Sequence, residues 1–238
     1  MKRILFLFFA LLLSGCLQPV EESFTHEVEY EVSISFREIS EIEQTNVTLL
    51  IPFPAVRGDV IEPRNMSVPE GWRAEIVESP HGRMLRLTGE SIKTWKMKPI
   101  PVGIEEGNNT PKQTPQLVKR PASYEFKLNL RLNREVNTLN PIGEEYLLEP
   151  KFNLGEMECP EDDPHYRNTR CFNYTTFIYY ESEPFVNASL SIWLNGRNSW
   201  FQMGWTGNEF NDRIYVENLR EGWNEVRGLL ETGIGVYR

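Results

Sequence analysis

The stretch that decides the fold is His26-Glu27-Val28-Glu29-Tyr30-Glu31-Val32-Ser33-Ile34-Ser35-Phe36-Arg37, which alternates at every step. Val28, Tyr30, Val32, Ile34 and Phe36 fall on one side, with Glu27, Glu29, Glu31, Ser33, Ser35 and Arg37 on the other. A period of two marks a strand with one face on a core and one in water. Tyr124, Phe126, Leu128, Leu130 and Leu132 repeat it against Glu125, Lys127, Asn129 and Arg131. Shorter runs of the same character lie at 46–51, 72–77, 83–88, 172–181 and 213–217. Pro52 and Pro54 end the first of these, because proline donates nothing to a ladder. Beyond the N-terminal leader, no window of about a dozen residues keeps the apolar stripe of a helix. The expected class is all-β, an antiparallel β-sandwich built as one large module or two consecutive ones.

Residues 103–121 hold two Gly and three Pro among polar neighbours and carry no packing pattern, so they read as a loop or linker. They divide the chain into β modules at 24–102 and 122–238. The alternative is one sandwich in which residues 26–37 and 123–132 lie side by side.

Downstream, runs at 186–194 and 199–205 flank Asn195-Gly196, a dipeptide suited to a tight hairpin turn. With a turn there, Val186, Ala188, Leu190, Ile192 and Leu194 meet Phe201, Met203 and Trp205 on the core side. Trp193 and Trp200 then share the outer face with Asn187, Ser189, Ser191, Asn198 and Gln202. Large aromatics beside amides stack on sugar rings and bond their hydroxyls, so Trp193 and Trp200 form the expected ligand platform. The competing expectation is that a second layer, such as 229–237, covers both indoles. Thr206-Gly207-Asn208 reads as a further turn. Trp72, Trp95, Trp205 and Trp223 read as core or edge packing.

At the N-terminus, Lys2 and Arg3 precede an apolar run from Ile4 to Leu13, followed by Ser14-Gly15-Cys16. A basic start, a short apolar core and small residues are the parts of an export signal. As a helix the run spans about 15 Å, half of a bilayer core, which is too short for a stable anchor. Leu13-Ser14-Gly15-Cys16 resembles the lipobox of prokaryotic lipoproteins. The resemblance covers the leader alone. It implies that 1–15 is removed as a signal peptide, that Cys16 carries a diacylglyceryl group, and that 16–23 is a lipidated tether. That address is the extracytoplasmic face of the cell membrane, and two acyl chains anchor stably where one is marginal.

Loss of the leader takes two of the 25 basic residues, leaving 23 against 34 acidic ones and a net charge of −11. A chain this acidic is a poor partner for nucleic acid, or for an anionic lipid surface beyond its own anchor. With Cys16 lipidated, Cys159 and Cys171 remain, and an oxidising compartment pairs them as a disulfide. Their spacing, with His165 nearby, does not match a zinc site, and Glu161, Asp162 and Asp163 read as a solvated acidic loop. No metal or cofactor is expected. Five glycosylation sequons, at Asn46, Asn65, Asn108, Asn173 and Asn187, fit the same address.

His26, His81 and His165 lie in no nucleophile or zinc motif. His26 belongs to the core edge of its strand, and His81 to a hairpin turn, Ser79-Pro80-His81-Gly82. The expected activity is binding without catalysis, of a glycan or solute on the Trp face. The alternatives are a structural or assembly lipoprotein that docks a protein partner and, less favoured, a two-carboxylate hydrolase.

Overall fold

The computed structural model describes residues 24–37, 41–100, 116–160, 168–201 and 205–237, and these fold as an all-β protein. The first strands are β1 (Thr25–Phe36), β2 (Gln44–Ile51), β3 (Phe53–Val56), β4 (Asp59–Val60), β5 (Trp72–Ser79), β6 (Gly82–Lys93) and β7 (Trp95–Ile100). They are followed by β8 (Gln116–Pro121), β9 (Ser123–Arg131), β10 (Leu147–Glu149), β11 (Phe152–Met157), β12 (Arg170–Glu183), β13 (Ala188–Phe201), β14 (Trp205–Val216) and β15 (Gly222–Gly235).

Ten strands form one sheet in the order β5-β6-β2-β12-β15-β14-β13-β1-β9, with β11 alongside β12. Every pairing in it is antiparallel. The alternation that announced β1 sets its burial: Val28, Tyr30, Val32, Ile34 and Phe36 are all buried. β1 lies beside β9, Val32 opposite Phe126, so strands from both sides of 103–121 share this sheet. Residues 116–121 of the expected linker are strand β8, paired with β7 in a ribbon of its own. Residues 101–115 lie outside the described residues.

The sheet curls into a half-barrel whose concave side holds the core. The strand pair β3–β10 lies against that side. Phe53 meets Tyr30 edge-on at 5.1 Å between ring centres, and the Tyr30 hydroxyl donates to the Pro52 carbonyl at 2.9 Å. Near the β13–β14 turn, buried Asn198 holds the β9–β10 connection. It accepts the Val136 N–H and donates to the Val136 carbonyl, both at 2.8 Å. His26 completes this corner through Nδ1, 2.8 Å from Asn198 Oδ1.

The Asn195-Gly196 turn is not formed. Both residues lie inside β13, and Asn195 is buried. The glycine serves a different purpose: it faces Phe210 on β14, and a Cβ at Gly196 would stand 2.2 Å from that ring. Gly228 opposite Tyr174 and Gly89 opposite Trp72 repeat the device, with clashes of 2.1 and 2.9 Å. Each core-facing ring lies over a neighbouring backbone that has no side chain, an arrangement suited to a curved sheet. Thr206-Gly207-Asn208 likewise lies within β14 and makes no turn. The reversal between β13 and β14 falls at 202–204, outside the described residues.

A candidate aromatic binding face

Moving the turn changes which side chains share a face, because a strand's sides swap at each residue. Trp193 points outward, is half-buried, and donates its indole N–H to Asn211 Oδ1 at 3.1 Å. Trp200 lies on the concave side and is 3 % exposed. The expected pair therefore forms no platform. Trp200 is thus covered, as the competing expectation had it, but residues 229–235 of the proposed covering layer are part of β15 within the same sheet.

Among the described residues the exposed indole is Trp223, at the start of β15. It sits opposite Tyr179 on β12, their rings 5.4 Å apart. Phe177, two residues back, is on the same outward side. Onto it folds the β5–β6 hairpin, which the Ser79-Pro80-His81-Gly82 turn closes as the sequence indicated. Ser79 Oγ fixes this turn, accepting the His81 N–H at 3.1 Å and donating to the Gly82 carbonyl at 2.7 Å. The His81 ring lies flat on Phe177 at 3.8 Å and 8°, with Trp223 edge-on to it at 4.6 Å. Phe152, the first residue of β11, closes the group 5.6 Å from Phe177. Phe152 and Trp223 are 37 % and 38 % exposed.

Phe152 points outward because its neighbour Lys151 is held on the concave side. Lys151 Nζ pairs with buried Asp212 and donates to the Leu148 carbonyl at 2.6 Å. It also lies 4.1 Å from the centre of the Tyr174 ring. Asp212 accepts two more hydrogen bonds, from the Tyr174 hydroxyl at 2.6 Å and the Leu148 N–H at 2.9 Å. Burial pushes the Lys151 ammonium below its ordinary range, and Asp212 opposes that. Thr176 Oγ1 adds a hydrogen bond to the Pro150 carbonyl at 2.7 Å. With its inward neighbour tied at several points, Phe152 has little freedom to leave the aromatic group.

Acidic and hydroxyl groups rim the rings. Glu225 is opposite Phe177, and the Tyr179 hydroxyl donates to Glu181 at 3.0 Å. That hydrogen bond, with smaller contributions from burial and nearby carboxylates, raises the Tyr179 phenol above its usual range. Such a face offers flat apolar surface for a ring and carboxylate acceptors for hydroxyls. Among the described residues, no three His, Cys, Asp or Glu side chains converge as a metal set.

The Cys159–Cys171 disulfide is formed and ties the segment after β11 to β12. Asn46, Asn65 and Asn173 are exposed, and Asn187 is half-buried beside Asn218. Cys16, Asn108 and the acidic loop 161–165 lie outside the described residues. Among the described residues no helix is long and apolar enough to cross a membrane. The sequence reading missed Trp223, although its strand carried the signal: Trp223 shares its parity with Glu225, Arg227 and Glu231. No protein-family model, no curated protein and no solved structure matches this chain.

Proposed function

We propose that this is a lipid-anchored extracytoplasmic binding protein that holds a glycan on the face made by His81, Phe152, Phe177, Tyr179 and Trp223. One observation carries the reading. Five rings, brought from the β5–β6 turn and from β11, β12 and β15, gather on the water side of a sheet whose core lies on its other face. Core packing does not require them there, and clustered exposed apolar groups mark interaction surfaces. Aromatic faces with nearby acceptors suit sugar rings, with Glu181 and Glu225 placed to take hydroxyl protons. The lipobox-type leader, the sequons and the disulfide support the extracytoplasmic address.

The test is a glycan array probed with the wild-type protein and with Trp223→Ala and Phe152→Ala. Wild type should bind a restricted set of glycans, and both variants should lose that signal while remaining folded. No glycan signal from wild type, or full signal from both variants, refutes the assignment. For the anchor, Cys16→Ser should move the protein from the membrane to the soluble fraction; a carbonate-resistant membrane pool of that variant would contradict it.

A further inference from the structure

The β7–β8 ribbon has a charge opposite to that of the chain. Five of the eight lysines, at 93, 96, 98, 112 and 119, fall within residues 93–120 together with Arg120, against two carboxylates, Glu105 and Glu106. The chain as a whole is at −9. Eleven ion pairs form among the described residues, and Lys93, Lys96, Lys98, Lys119 and Arg120 take part in none of them. Lys96 and Arg120 are cross-strand neighbours, a like-charge pairing that disfavours the ribbon in isolation. Two of the cations rest on rings instead: Lys96 Nζ is 4.1 Å from the centre of Tyr124, and Lys119 Nζ 3.9 Å from Trp95.

The ribbon is also two-faced. Its register sets Met97 opposite Lys119, Lys98 opposite Val118, and Pro99 opposite Leu117. Alternation therefore puts Lys96, Lys98, Val118 and Arg120 on one face, and Trp95, Met97, Pro99, Leu117 and Lys119 on the other, where Lys119 lies over Trp95. Met97 is 49 % and Leu117 60 % exposed, in a two-stranded sheet separate from the main one. A mainly apolar exposed face, backed by cations that form no ion pair, is the arrangement of a segment that lies in a membrane interface.

We propose that the β7–β8 ribbon docks on an anionic lipid bilayer. Met97 and Leu117 enter the boundary between headgroups and acyl chains, while Lys96, Lys98 and Arg120 stay at the level of the lipid phosphates. A soluble polyanion would use the cations alone, and it leaves Met97 and Leu117 unexplained. The ribbon leaves the sheet beside Phe36, where the Phe36 N–H bonds the Ala122 carbonyl at 3.0 Å. Thr25, at the other end of β1, is eleven residue steps away, about 36 Å. Bilayer contact at the ribbon and at the N-terminal tether would lay β1 along the membrane. The inference depends on neither the lipid nor the glycan.

The test is vesicle co-sedimentation of the full chain carrying Cys16→Ser, so that no attached lipid contributes. Phosphatidylcholine vesicles are compared with the same vesicles containing phosphatidylglycerol. The protein should prefer the anionic vesicles, and Lys96→Glu/Lys98→Glu/Arg120→Glu should weaken that binding about a hundredfold. Met97→Ser/Leu117→Ser, which removes only exposed apolar groups, should weaken it with every charge kept. Equal binding to both vesicle types overturns the proposal, as does an unchanged preference in a folded charge-reversal variant. Heparin binding that is insensitive to Met97→Ser/Leu117→Ser, without a vesicle preference, would assign the cations to a soluble polyanion instead.

Discussion

Gly196 and Phe210 face each other across β13 and β14, and the phenylalanine ring fills the place where a side chain on residue 196 would be. A Cβ there would lie 2.2 Å from Cε1 and 2.4 Å from Cζ of that ring. Phe210 is fully buried, so it has no open direction in which to yield. Gly196→Ala should destabilise by about 1–3 kcal/mol through overpacking. Denaturant titration reads this directly, and combining it with Phe210→Leu should cost less than the sum of the two single changes. A neutral Gly196→Ala would show that the ring is not held against the backbone.

Asp212 links three elements, since it accepts from Tyr174 on β12, from Leu148 on β10 and from Lys151 just before β11. Asp212→Asn leaves the Lys151 ammonium buried without its counter-charge, at a cost of about 3–5 kcal/mol. Adding Lys151→Met to that variant should restore much of the loss, because the unpaired charge goes with the lysine. Equilibrium unfolding of the two variants checks this, and a cost below about 1 kcal/mol for Asp212→Asn would contradict a buried pair.

The alkaline limit should be set by buried phenols. Burial raises Tyr30 and Tyr174 well above 10 and pushes Tyr180 up to about 12. Between pH 10 and these raised values the unfolded chain ionises while the folded one does not, so stability falls with rising pH. Tyr180 alone accounts for about 3 kcal/mol lost between pH 10 and 12. Lys151, lowered by burial, acts with the opposite sign below its ordinary 10.5, giving a modest rise before the fall. Unfolding free energies measured from pH 8 to 12 should therefore crest and then drop, and Tyr180→Phe should make the drop shallower. Flat stability through pH 12 would contradict this assignment.

How much of this was legible before the fold was known depended on where each strand meets water. β1 and β9 announced themselves because each has one wet face, and every second residue reports it. Asn195-Gly196 misled because glycine serves two ends, a turn's positive φ or room for a ring, and only the partner strand tells them apart. That single error reversed the outward assignments of Asn198 and Trp200, both of which are buried. Trp223 was recoverable from its alternation with Glu225 and Arg227, but no local pattern brings His81 and Phe152 to its side. Whole-chain charge concealed the β7–β8 ribbon, since −9 averages over a cluster of cations in 93–120. The prolines of 103–121 pointed to a loop, yet Pro121 ends a strand that pairs with β7. Asp212 carried a faint signal, being one of only four aspartates against thirty glutamates.

The disulfide offers a check that is independent of any ligand. Cys159 and Cys171 are 12 positions apart, and closing a loop of that size stabilises by about 3 kcal/mol. Cys159→Ser/Cys171→Ser should lower the unfolding free energy by that order, and reduction of wild type should match it. An unchanged value would mean that the reduced segment keeps its place without the bond.

The most direct test of the binding face compares two tryptophans by titration calorimetry, using a glycan selected on the array. Trp223→Ala should weaken its Kd by at least about tenfold, roughly 1.4 kcal/mol. Trp193→Ala, whose indole lies farther along the same sheet surface, should leave it unchanged. The account is contradicted if Trp193→Ala carries the loss and Trp223→Ala does not, or if neither substitution changes the affinity.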